Sequence, residues 1–196
     1  MKIIGIIGGC GSGKSEVSNL LKNKFNAYII NADKVAHEIL EKDSEAYKKI
    51  IKCFGKNILD NNGNINRKRL GAVVFSDKEK LKLLTNITHP YINDNIIQII
   101  NDLKKDNKYK YIVLEITALG KGEIYSLIDE YWYIYCNMNV RLDRLLKYRN
   151  ISAESAKDII GKQPTDSEFR KYADVVIDNS NTLKYTFEQI KAYLIN

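Results

Sequence analysis

The chain has 196 residues, 31 basic and 24 acidic side chains for a formal net charge of +7, and an apolar fraction of 44%. That is enough for one packed core and too rich in apolar residues for a disordered chain. No stretch reaches the roughly 18 apolar residues of a membrane span, residues 1–8 turn glycine-rich too early for a secretory signal, and the three cysteines (Cys10, Cys53, Cys136) fit neither a zinc set nor a paired disulfide framework. A soluble, cytoplasmic protein with no membrane partner is expected.

In chain order, short β-branched or aromatic runs at residues 2–7, 27–30, 111–116, 131–136 and 175–177 read as buried parallel strands. Amphipathic stretches separate most of them. Val17, Leu20, Leu21 and Phe25 recur at helical spacing after the first run, as do Leu183, Phe187, Ile190 and Leu194 at the far end. This alternation predicts an α/β sheet of about five parallel strands with helices on both faces, a three-layer α/β/α core in a single domain. Between residues 33 and 110 no strand is predicted, only helices around the turn Asp60-Asn61-Asn62-Gly63-Asn64. Pro90 should end or kink a helix near His89. A further helical pair, roughly 139–149 and 153–162, carries three of the six arginines.

The segment Gly8-Gly9-Cys10-Gly11-Ser12-Gly13-Lys14-Ser15 is a complete G-x-x-x-x-G-K-[ST] between a predicted strand and an amphipathic helix. Glycines let successive backbone N–H groups turn inward to phosphate oxygens, and the helix N-terminus adds positive charge. Lys14 would reach the β and γ phosphates and Ser15 would ligate Mg2+. Gly9, Cys10, Gly11, Ser12, Gly13, Lys14, Ser15 and Glu16 are therefore the candidate nucleotide contacts. Glu16 places a carboxylate near the α-phosphate and is expected to point to solvent. The motif implies nucleotide binding but not a reaction. No N-K-x-D guanine reader is present, and small-molecule kinases are the natural users of such a loop near this length.

Asp33 follows the second strand, where a carboxylate can accept the proton of an attacking hydroxyl or simply cap a helix. Here the chain resembles the dephospho-coenzyme A kinase family. Asn31-Ala32-Asp33 with His37 is similar to that family's Asp-Ala-Asp-x-x-x-His segment. Phe54-Gly55-Lys56-Asn57-Ile58 through Gly63, Arg67, Leu70, Val74-Phe75 and Thr88-His89-Pro90 is similar to its helical substrate-binding insertion. Arg144, Gln163 and residues 173–179 resemble its lid and last strand.

The resemblance implies a P-loop kinase with a helical insertion at about 55–105 and a helical lid at about 139–171. It implies ATP and Mg2+ as cofactors and dephospho-coenzyme A as the small-molecule partner, bound between core and insertion, with no nucleic acid; a monomer is the favoured oligomeric state. Asp33 would deprotonate the ribose 3′-hydroxyl, while Lys14 and Arg144 stabilise the transferring phosphoryl. Substrate contacts would come from Asp33, His37, Arg67, His89 and Arg141, and Glu115 would join Ser15 at Mg2+. Plainer readings stand beside these: a solvated face for Arg141, Arg144 and Arg149, a hydrogen-bonding face for His37, a cap on a broken helix for His89. The chain departs from the family pattern at Asn31, at residues 115–121 where Lys121 replaces an acid, and at Tyr148. These departures keep two rivals in view, a nucleoside or nucleoside monophosphate kinase and a non-catalytic nucleotide- or nucleic-acid-binding protein.

Overall fold

The computed structural model describes residues 1–116, 122–149 and 151–195. In chain order the elements are β1 (Lys2–Ile7), α1 (Lys14–Phe25), β2 (Ala27–Asn31), α2 (Ala32–Glu38), α3 (Glu45–Phe54), a short 3-10 turn (Lys56–Ile58), α4 (Arg67–Phe75) and α5 (Lys78–Asp106). They continue with β3 (Tyr111–Glu115), α6 (Glu123–Ser126), β4 (Glu130–Tyr135), α7 (Met138–Arg149), α8 (Ala153–Gly161), α9 (Asp166–Tyr172), β5 (Val175–Asp178) and α10 (Leu183–Ile195). By internal contacts the chain divides into a sheet unit, residues 1–31 and 103–196, and a helical unit, residues 32–102.

In the sheet unit five strands lie in the order β2-β3-β1-β4-β5, every neighbouring pair parallel. Parallel pairing leaves both faces to be covered, which is why these strands are nearly continuous apolar runs. On one face Ile4, Ile6, Val113, Trp132, Ile134, Val175 and Ile177 pack with Val17 and Leu21 of α1 and Ile190 of α10. On the other, Tyr133 stacks on Phe169 of α9 with ring centroids 5.1 Å apart. Its hydroxyl donates to Asp166 at 3.0 Å, and Asp166 also accepts from Arg170 at 2.8 Å. Trp132 is fully buried, a core residue as its strand position predicts. Because the strands are parallel, the loop after β1, Asn31, Glu115, the turn after β4 and Asn179 all emerge at one edge of the sheet, where α/β proteins place their ligand chemistry.

The helical unit is held by Ile50, Ile58, Leu70 and Val74, with Leu40, Phe54, Leu59, Ile65, Leu84 and Ile87 packed around them. Its Asn/Gly turn is closed by an antiparallel bridge between Leu59 and Ile65. The Asp60 carboxylate accepts from the Asn62 and Asn64 amides, each at 2.9 Å, and these bonds hold its pKa below the ordinary carboxylate value. Ser44 caps α3 through the Tyr47 amide, and Asn66 caps α4 through the Lys68 and Arg69 amides.

Of the end or kink expected near His89, the end is corrected, since α5 runs through Pro90. Proline removes one i to i−4 hydrogen bond, but Leu84 and Ile87 before it pack into the helical core and Ile96 and Ile100 after it are buried, so burial on both sides keeps the helix going. The second strand extends one residue further than expected, to Asn31. Among the described residues no helix is long and apolar enough to cross a membrane.

Candidate functional site

The loop between β1 and α1 is shaped by its glycines. Gly11 and Gly13 have φ of 76° and 86°, which side-chain-bearing residues rarely adopt. Space opposes a side chain as well: at Gly11 a Cβ would lie 2.8 Å from the Arg141 backbone carbonyl, and at Gly9 and Gly13 it would displace the ends of Arg141 (Nη2) and Asn179 (Nδ2), each 2.1 Å away. Gly13 is the N-cap of α1 and offers no side chain to its first-turn amides. The positive end of α1 is thus left for an anion. The Ser12 hydroxyl is buried with no hydrogen-bond partner.

The loop's carbonyls are held from outside it. Lys14 reaches back to the Gly8 and Gly9 carbonyls at 2.7 and 3.3 Å. Arg141 Nε donates to the Cys10 carbonyl at 3.0 Å, and Arg144 Nη1 to those of Gly11 and Ser12 at 3.4 and 3.3 Å. Asn179 Nδ2 donates to Ser12 at 2.9 Å. Two amides are also used within the protein: Cys10 N–H donates to Gln163 Oε1 at 2.9 Å and Ser12 N–H to the Gly9 carbonyl at 3.2 Å. The inward-facing amides are therefore not the unbroken run expected from the motif. Gln163 Oε1 also accepts from Arg141 Nη2 at 2.7 Å, so Arg141 and Gln163 together bind both polar groups of the Cys10 residue.

Arg141 and Arg144, three apart on α7, both face the loop rather than solvent. The Cys10 side chain packs against the cluster of Leu145, Ala156 and Ile160 of α7 and α8. The buried Cys136 thiol has its pKa pushed up by burial, with Arg144 opposing. Glu16 is not simply solvated: 55% exposed, its Oε2 lies 3.9 Å from Arg144 Nη2 and 3.3 Å from Asn179 Nδ2.

At the same sheet edge Asn31 and Glu115 are register partners, and Asn31 Nδ2 donates to Glu115 Oε2 at 2.6 Å. Glu115 is buried and Ser15 is exposed in the first turn of α1. Their hydroxyl and carboxylate oxygens are hard donors of the kind Mg2+ prefers. Among the described residues no cluster of three or more His, Cys, Asp or Glu is poised for a metal, and Mg2+ held mainly by phosphates and water needs none. Lys121, whose charge departs from the family pattern, lies outside the described residues.

In the helical unit Asp33 is exposed in the first turn of α2, inside the helix rather than at its cap. Arg67 Nη1 donates to His37 Nε2 at 2.5 Å, which places the imidazole proton on Nδ1 when the ring is neutral. Both line a cavity of about 440 Å³ with Leu40, Glu41, Lys42, Asn64 and Ile65. His89 is exposed on α5 and is not part of that lining. Sequence reasoning left Gln163 and Asn179 out of the candidate site. The family resemblance, in which both residues fall, was the available signal.

The family model described as dephospho-CoA kinase matches residues 2–185. A dephospho-CoA kinase of Carboxydothermus hydrogenoformans is 41% identical over 194 residues, covering 99% of this chain and 93% of the relative. One from Aquifex aeolicus is 38% identical over 191 residues, covering 97% and 95%. The solved dephospho-CoA kinase of Campylobacter jejuni superposes with a TM-score of 0.71 at 31% identity, covering 98% of each chain.

Proposed function

This chain belongs to the dephospho-CoA kinase family, an ATP-dependent kinase family, and from that premise we propose that it moves the γ-phosphoryl of ATP to the ribose 3′-hydroxyl of dephospho-coenzyme A, giving coenzyme A and ADP. The observation that carries the reading is the glycine loop, whose carbonyls are bound by Arg141, Arg144 and Asn179 ahead of an α1 N-terminus that lacks a side-chain cap. A loop fixed in advance does not reorganise as charge develops, which is how positioning and electrostatics supply most of phosphoryl-transfer catalysis.

Asp33 accepts the proton of the 3′-hydroxyl as its oxygen attacks the γ-phosphorus, and the bond to the β-phosphate oxygen breaks to release ADP. Lys14 and Arg144 offset charge on the transferring group, and for this Lys14 turns from the loop carbonyls to the phosphates. Ser15 and Glu115 would hold Mg2+, which supplies charge neutralisation on the phosphate oxygens. His37 and Arg67, already paired in their cavity, are assigned to the acceptor; His89 and Arg141 are proposed as further acceptor contacts.

The test is ADP release from Mg-ATP with and without dephospho-coenzyme A, beside a panel of nucleosides and nucleoside monophosphates. Stimulation by dephospho-coenzyme A alone supports the reading. Stimulation by a panel member in its place overturns the acceptor assignment.

A further inference from the structure

Asn179 is almost wholly buried, at 1% exposure, and none of its side-chain partners belongs to β5, the strand it follows. Its Nδ2 donates to the Ser12 carbonyl at 2.9 Å and lies 3.3 Å from Glu16 Oε2, while its Oδ1 accepts from the Thr186 hydroxyl of α10 at 2.8 Å. The backbone is fixed as firmly: the amide donates to the Tyr135 carbonyl at 2.9 Å, and the carbonyl accepts from Arg144 Nη2 at 3.0 Å. One residue earlier, Gln189 of α10 binds both the amide and the carbonyl of Asp178, at 3.0 and 2.8 Å. A residue needed only to end β5 would be satisfied locally, whereas this one reaches a residue 167 positions away.

The chemistry sets the direction of these contacts. The Ser12 carbonyl and the Glu16 carboxylate can only accept, so the amide NH2 must face them, and this turns the oxygen toward α10, where the Thr186 hydroxyl, which also reaches the Thr182 carbonyl at 3.4 Å, donates to it. The Ser12 carbonyl is thereby bound, and the carboxylate of Glu16, which would otherwise repel phosphate, has Asn179 Nδ2 and Arg144 Nη2 beside its Oε2. We propose that Asn179 is a positioning residue for ATP: held at its oxygen by Thr186, it sets the phosphate loop and the Glu16 carboxylate in the geometry that accepts the triphosphate. The proposal rests on residues 8–15 being the ATP site.

The experiment measures KM for Mg-ATP, KM for dephospho-coenzyme A, kcat and melting temperature for the native chain and for Asn179→Asp, Thr186→Val and Thr186→Ser, with binding of a non-hydrolysable ATP analogue measured separately. Asn179→Asp keeps the shape but turns an oxygen on the Ser12 carbonyl and the Glu16 carboxylate. Its KM for ATP is expected to rise by about 10- to 100-fold, the effect of leaving one or two buried polar groups mispaired. Thr186→Val removes only the Thr186 hydroxyl, and a rise of about 3- to 10-fold is expected. Thr186→Ser restores the hydroxyl and returns the native KM for ATP. The KM for dephospho-coenzyme A and kcat should move far less in every case. Lower melting temperatures with the KM for ATP unchanged, or a Thr186→Ser variant no better than Thr186→Val, would overturn the proposal. A native chain that does not bind the analogue would overturn the ATP site itself, and that result is distinct from variants that bind it normally.

Discussion

Around residues 8–15 of the sheet unit, the polar side chains that approach the loop end on its backbone: Lys14, Arg141, Arg144 and Asn179 on carbonyls and Gln163 on an amide. In the helical unit the corresponding pair, His37 and Arg67, is exposed and each side chain meets the other. Contacts to backbone fix the shape of a chain segment, since every peptide so bound loses its freedom to rotate. A side-chain pair at the surface fixes only its own orientation. Phosphates present the same oxygens in every nucleoside triphosphate and suit a fixed cradle. An acceptor is told from its analogues by a few polar contacts, and those are what the exposed pair is proposed to supply.

The largest expected effect tests where this contrast should fail. Asp33 belongs to the helical unit, yet as the proposed base it acts on the reacting hydroxyl itself. Asp33→Asn should lower kcat by about 10²- to 10⁴-fold, the range for loss of a general base, with binding of the ATP analogue retained; unchanged turnover would remove Asp33 from that role. Next comes Gly13→Ala, which puts a Cβ 2.1 Å from Asn179 Nδ2 at a φ of 86°. We expect it to destabilise the fold by about 1–3 kcal/mol and to weaken binding of the analogue at least tenfold, read by calorimetry on the same sample as the melting temperature. Arg67→Ala should act on the other side of the contrast, raising the KM for dephospho-coenzyme A by roughly 2- to 10-fold, as for loss of one ordinary hydrogen bond, with the KM for ATP unmoved. An effect on ATP instead would break the division of labour between the units.

The smallest effect lies at the far end of the sheet. Burial pushes the Glu130 pKa up, but hydrogen bonds from Tyr193, Trp132 and Lys2 outweigh it and hold it below its ordinary value of 4.5. A carboxyl whose folded pKa is depressed adds stability above its unfolded pKa and loses that contribution as the pH falls through the folded value. The native melting temperature should therefore fall more steeply below pH 4.5 than that of Glu130→Gln, with no difference in the KM for ATP at neutral pH. Parallel acid profiles would show that the Glu130 charge contributes nothing to the fold.

The sheet was legible from sequence to within a residue or two because the three central strands are buried on both faces and have to be runs of apolar residues, while the edge strands β2 and β5 keep the apolar character although Tyr28 and Val176 are exposed. The glycine loop was legible because its conformation and its crowding each oppose a side chain. The course of α5 through Pro90 was not, since a local rule about one missing hydrogen bond competes with burial on either side of it, and that burial is set by residues elsewhere in the fold. Gln163 and Asn179 were hidden for a related reason: their partners are backbone groups 153 and 167 positions away, a relation that no local spacing encodes. Arg141 and Arg144 could be placed on one helix face by their spacing, but which surface that face meets became visible only in the fold. Asn31 read as the loss of a charge, whereas the structure gives its amide a definite partner in Glu115.

The most direct measurement supplies ATP radiolabelled in the γ-phosphoryl together with dephospho-coenzyme A and follows the label. We expect it in coenzyme A, in amounts equal to the ADP formed, and removable by a 3′-nucleotidase. Label found only in inorganic phosphate, or on an acceptor other than dephospho-coenzyme A, would contradict transfer to the 3′-hydroxyl.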